Sequence, residues 1–143
     1  MKPLLVDTNV LLRFITGEPA DQASQVAKLF EAADSGKARI TVLPMILAEA
    51  VYVLIGFYGH SRSKTAEVLA HLLSSPGFHS EENGKMIHAL KLFGAGKLDF
   101  ADCYLAAISM ADSQTLVSYD RELGKLHGVK VRRPGRSLEA GRG

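Results

Sequence analysis

Residues 3–12 read Pro3-Leu4-Leu5-Val6-Asp7-Thr8-Asn9-Val10-Leu11-Leu12, and the fold class follows from how this stretch is parsed. A short apolar run halts on three polar residues, which is the pattern of a buried strand entering a polar turn, and helical spacing then carries the chain through 10–15. Asp7 therefore falls at the carboxyl end of a strand. The helix stops at Gly17-Glu18-Pro19 and resumes over about 20–33, with Ala23, Val26, Ala27, Leu29 and Phe30 as its apolar positions. Residues 39–43 are strand-like, and Pro44 suits the first turn of a long helix reaching about 58. Ser61 or Ser63 can cap a helix over roughly 64–73, a short strand is expected around 77–80, and 82–93 again has helical spacing. Asp99 opens a helix to about 111, 115–119 reads as a strand ending at Asp120, 121–126 as a helical turn and 129–131 as a last strand. Strands alternating with helices predict an α/β fold, with a central, mostly parallel sheet flanked by helices on both faces.

With 143 residues the chain makes one domain, placed at 1–132, followed by a basic, flexible tail at 133–143. The single cysteine, Cys103, excludes an internal disulfide and a cysteine-rich zinc site, and favours the reducing cytoplasm. The opening does not read as a signal peptide, because Asp7, Thr8 and Asn9 interrupt its apolar stretch. Residues 42–58 are nearly long enough to span a bilayer, but Pro44 lies near the start and Glu49 near the centre. A carboxylate there costs about 2.5–3.5 kcal/mol on insertion, so a buried helix of a protein without membrane contact is expected. Residues 1–120 hold 10 basic and 13 acidic side chains, whereas 121–143 hold 7 and 2. An acidic body with a basic end suits a protein that approaches a polyanion while gathering carboxylates in one place.

Ligands collect beyond the carboxyl ends of parallel strands, where Asp7 and Asp120 fall. Glu49 and Asp102 lie on helices that begin on the same edge, so four carboxylates can converge there. Such a cluster repels itself unless cations neutralise it, and Mg²⁺ takes oxygen ligands of this kind. Each acid also has a plainer role. Asp7 can be a helix N-cap, Asp120 a turn residue, and Glu49 a member of a solvent-facing stripe or ion pair. Glu49 is the only charged side chain between Arg39 and His60. Asp99 fits an N-cap better than a ligand, while Asp102 is a charge on an otherwise apolar helix, which favours the ligand role.

The segments Val6-Asp7-Thr8-Asn9-Val10-Leu11-Leu12, Ala48-Glu49, Asp99-Phe100-Ala101-Asp102-Cys103-Tyr104-Leu105-Ala106-Ala107 and Ser118-Tyr119-Asp120 together resemble the PIN-domain nucleases. Among these, the sequence is similar to the VapC toxins of bacterial toxin–antitoxin pairs. The likeness spans 4 to about 131, in the family's order. It implies that Asp7, Glu49, Asp102 and Asp120 are the metal-site acids, with Asp99 a frequent extra. Thr8 or Asn9 and Ser118 match the polar residues that support them, Ser118 standing where the family usually has threonine. The resemblance further implies endoribonuclease activity with Mg²⁺ or Mn²⁺, a homodimer, and inhibition by a cognate antitoxin protein.

Phosphate contacts to RNA are expected from basic residues, with Arg132, Arg133 and Arg136 of the tail first and Arg13, Lys97 and Arg121 as alternatives; a solvated chain end is the plainer reading of the tail. The five histidines have no metal-ligand spacing, Gly94-Ala95-Gly96-Lys97 lacks that of a phosphate loop, and Cys103 suits core filling. Two other functions stay open at this level. A small-molecule phosphatase of the aspartyl type would carry Asp-x-Asp after its first strand, but position 9 is Asn. A non-catalytic RNA- or protein-interaction domain would keep the acids for folding alone. The helix over 45–58 carries large apolar side chains well around its circumference, so it is either buried on all sides or in need of a partner.

Overall fold

A computed structural model describes residues 2–135. The order is β1 (Leu4–Leu5), α1 (Thr8–Thr16), α2 (Ala20–Asp34), β2 (Ile40–Thr41), α3 (Pro44–Gly56), α4 (Arg62–Leu73), α5 (Asn83–Ala95), α6 (Phe100–Asp112), β3 (Leu116–Val117) and β4 (Val131–Arg132), with a 3-10 turn at Leu123–Lys125. Arg136 and the rest of the expected tail beyond Gly135 lie outside the described residues.

The helix ends follow local chemistry. Asp7 caps α1, its Oδ1 accepting from the Val10 amide at 3.1 Å. Gly17 closes the helix in the left-handed region, at φ 74°, where a side chain would be strained. Pro44 occupies the first turn of α3 and needs no amide partner there. Ser61 caps α4, accepting from the Lys64 amide at 3.2 Å.

The strands pair in parallel, as expected, but in two separate ladders, β1 with β2 and β3 with β4. Hydrogen bonds among the described residues do not join these into the single central sheet expected. Each strand is two residues long, and the molecule is organised mainly by helix packing, with α5 against both α4 and α6, and α1 against α2 and α3. The strand expected at 77–80 reduces to one parallel bridge between Ile40 and Phe78. Nor is the first strand buried. Leu4 and Leu5 are exposed and only Val6 is buried.

Leu47, Ala50, Val51 and Leu54 of α3 enter the core beside Leu11, Leu69, Met86 and Leu90. The opposite side of α3 is not covered, with Met45 and Tyr52 more than 70% exposed. The helix is therefore amphipathic in its burial, not enclosed on all sides. No helix among the described residues is long and apolar enough to cross a membrane.

Candidate active site

Asp7 leaves β1 and enters α1 as its N-cap. The cap bond uses Oδ1, so the second carboxylate oxygen keeps its lone pairs. Cap and ligand are compatible roles for this residue. Thr8 is buried directly beneath it in sequence, while Asn9 is exposed.

Asp99 stands at the N-cap position of α6, in extended geometry, yet its side chain makes no cap hydrogen bond. The carboxylate remains available. Asp102 follows in the first turn, half-buried, with its carboxyl pushed above the ordinary aspartate range. Burial is the largest cause, and the negative charges of Asp120 and then Asp99 add to it. Asp99 and Asp102 of α6 thus share one electrostatic neighbourhood with Asp120, which lies beyond β3.

Asp120 is set by the turn after β3. Its amide donates to Ser118 Oγ at 2.9 Å, and its Oδ1 accepts from the Glu122 amide at 2.8 Å. The turn role expected for Asp120 is therefore real, and Ser118 acts as its positioning residue. Around it opens a cleft of about 640 Å³ lined by Asp120, Arg121, Arg132 and Arg133. Three of the basic residues anticipated for RNA thus flank an acid of the cluster.

Glu49 is exposed, on a stripe of α3 that faces solvent, as its plainer reading had it. Its position carries the interest: Glu49 and Asp99 line one cavity of about 610 Å³ between α3 and α6. Glu49, Asp99, Asp102 and Asp120 are linked in this stepwise way. Asp7 stands at the start of α1, which packs on α3, the helix that carries Glu49.

Among the described residues no three histidine, cysteine or acidic side chains are grouped closely enough to hold a metal by themselves. The donor set nevertheless fits a hard divalent cation. It consists of carboxylate oxygens alone, and Asp102 carries a repulsion that a cation would relieve. Mg²⁺ is usually held by one or two carboxylates, with waters and substrate phosphate completing its shell.

Other expectations resolve differently. Arg13 Nε donates to Gln22 Oε1 at 2.8 Å, tying α1 to α2 six residues, roughly 9 Å, along the helix from Asp7. Lys97 is exposed in the turn before α6. Cys103 is buried, its Sγ 3.7 Å from the Leu98 carbonyl, and burial pushes its thiol up to about 11. That excludes a thiolate nucleophile at neutral pH. Arg62 was not anticipated from the sequence. Its Nε donates to the Phe93 carbonyl at 3.2 Å, Nη2 donates to the Leu98 carbonyl, and the guanidinium lies 3.8 Å from the Phe93 ring centroid. Arg62 fixes the segment that delivers Asp99, through contacts 31 and 36 residues away that no local pattern encodes.

Comparison with known families finds that the profile described as PIN domain matches residues 4–129. No curated protein matches the chain.

Proposed function

The chain belongs to the PIN-domain family, a metal-dependent nuclease fold, and from that premise we propose that it is an endoribonuclease acting as the toxin of a toxin–antitoxin pair. The observation that carries the reading is the carboxylate group of Asp99, Asp102 and Asp120 beside a cleft lined by arginines. Acids alone would repel a polyanion, and arginines alone would bind it without chemistry. Together they suit hydrolysis of an RNA phosphodiester.

Asp102, Asp120 and Asp99, with Glu49 and Asp7 at the margins, would hold Mg²⁺ or Mn²⁺. When bound, such a cation acidifies a coordinated water and offsets charge on the phosphate. The chain's residues do the rest. Ser118 and the Glu122 amide fix the Asp120 carboxylate, and the α1 cap fixes Asp7. Arg121 and Arg133, on the wall they share with Asp120, hold phosphates of the incoming strand. Arg62 orients the start of α6.

The toxin role rests on the VapC-like motifs and on apolar surface that needs covering. Met45 and Phe57 are exposed along α3 and at its end, and Leu105 is exposed on α6. This surface supports a homodimer and a small antitoxin that covers the remaining face, bringing a basic side chain to the acids. Incubation with a mixed RNA pool and Mg²⁺, with and without Asp7→Asn and EDTA, tests the activity. Cleavage by wild type alone, abolished by EDTA, is the expected result, and cleavage surviving in EDTA would overturn the metal mechanism. Light scattering checks the dimer, and co-expression with the neighbouring open reading frame checks the antitoxin.

A further inference from the structure

The cavity between α3 and α6 has two kinds of wall. Glu49 and Asp99 line the side that belongs to the acidic site, and Tyr52, Phe93 and Phe100 supply aromatic surface. Arg62 also lines it. Its two carbonyl bonds occupy two of the five guanidinium donors, and contact with the Phe93 ring holds the group rigid. Tyr52 is 79% exposed, so its ring is open to a ligand. A phosphate is disfavoured here, because Glu49 and Asp99 would repel it. A flat, neutral, aromatic group carrying hydrogen-bond acceptors for Arg62 and donors for the carboxylates suits every wall, and about 610 Å³ is within the range of small-ligand sites.

We infer that this cavity receives one unpaired nucleobase of the RNA, next to the scissile bond, stacked on Tyr52 and met at its acceptor edge by Arg62. The inference rests on the endoribonuclease reading above and deepens it. Single-stranded RNA is recognised by such stacking of splayed bases on aromatic rings, and arginine is the usual donor to base acceptors in direct readout. Continuity with the acids decides the occupant. A base seated between Glu49 and Asp99 leaves its phosphates outside the cavity, toward Asp102 and the arginine-lined cleft beside Asp120, so base binding sets which bond is cut.

The test is an abasic scan of a short single-stranded RNA with one cut site, in which a single base is removed at each successive position. KM and kcat are measured with Mg²⁺ for wild type, Tyr52→Leu and Arg62→Lys. In wild type, one position beside the cut should raise KM on the order of tenfold, as loss of one stacked base does. With Tyr52→Leu the intact substrate should already show most of that rise in KM, the abasic substrate should add only the smaller loss of the Arg62 contact, and kcat should move little. Arg62→Lys, which keeps the charge but loses the fork that also braces the start of α6, should lower kcat on every substrate and, beyond that uniform loss, change base preference at that position. A flat scan, or an abasic penalty equally large in Tyr52→Leu, would overturn the inference while leaving the nuclease intact. A flat scan together with a changed oligomeric mass for Tyr52→Leu would assign the face to a second copy of the chain. Absence of any RNA cleavage by wild type would remove the endoribonuclease reading and this inference with it. Because Tyr52 is exposed, its variant should melt as wild type does, which separates lost binding from lost folding.

Discussion

Asp7 offers the sharpest separation of structure from chemistry, since one of its oxygens caps α1 and the other is open to a ligand. Three substitutions divide the roles. Asp7→Ala removes the 3.1 Å bond to the Val10 amide and should cost about 1 kcal/mol. In a domain of this size that lowers the melting temperature by roughly 3 °C. Asp7→Ser keeps an acceptor at the cap, and Asp7→Asn keeps it with the same shape, so each should lose no more than about 0.5 kcal/mol, the dipole attraction of a surface charge. Activity should follow a different order. All three lack the carboxylate, and even indirect supports of metal sites cost about 10–100-fold, so each variant should cut RNA on the order of 100-fold more slowly or worse. Urea denaturation gives the first ranking and cleavage of a labelled RNA with Mg²⁺ gives the second. Wild-type cleavage by Asp7→Asn would reduce Asp7 to a cap, and equal stability of the Ala and Asn variants would show that the cap bond contributes nothing.

Asp102→Asn should abolish cleavage yet stabilise the metal-free protein at neutral pH. The folded-state carboxyl of Asp102 is raised, by burial first and then by Asp120 and Asp99, so its charge opposes folding. In the wild type, stability should fall as pH rises above about 4, through the raised value, relative to the Asn variant. Denaturation midpoints in EDTA across that range should converge at low pH; a difference that grows toward low pH would contradict the sign. Arg121→Ala with Arg133→Ala, both on the cleft with Asp120, should reduce the log–log salt slope of RNA binding by about 1.4, and an unchanged slope would move the phosphate path elsewhere. Gly77→Ala should destabilise by about 3 kcal/mol, because a Cβ there falls against the Ala33 carbonyl and 2.5 Å from the Ala33 Cβ. An unchanged urea midpoint would mean that the contact relaxes freely.

Features set by neighbours in sequence were legible, and features set by distant partners were not. The turn at Asp7, the stop at Gly17, the start at Pro44 and the Ser61 cap depend on one residue and the amides beside it. Pairing of strands depends on what else packs nearby. The apolar run at Leu4 and Leu5 therefore looked buried and is exposed, and the strand expected around Phe78 is a single bridge. Glu49 was singled out because its neighbours are apolar, but neighbours along a helix point in different directions, and its own stripe faces water. Arg13 and Arg62 are alike as letters. One is held by Gln22 on the next helix and the other by carbonyls at the start of the acidic segment, and only the fold tells them apart.

The placement of the acids also explains how a metal-free chain tolerates them. Asp7 and Asp99 occupy N-cap positions, and Asp102 lies in the first turn of α6. Unpaired amides at a helix start stabilise a nearby carboxylate by about 0.3–1 kcal/mol, which offsets part of the mutual repulsion. Asp120 obtains an equivalent amide from Glu122 in its turn. Glu49, within α3, has no such amide and is solvated instead. Asp102 is left as the acid whose burial and neighbours outweigh its helix end, and it is the one whose carboxyl is driven upward. A divalent cation held beside Asp102, as proposed, would remove that repulsion, so divalent cations should raise the stability of the wild type more than that of Asp102→Asn.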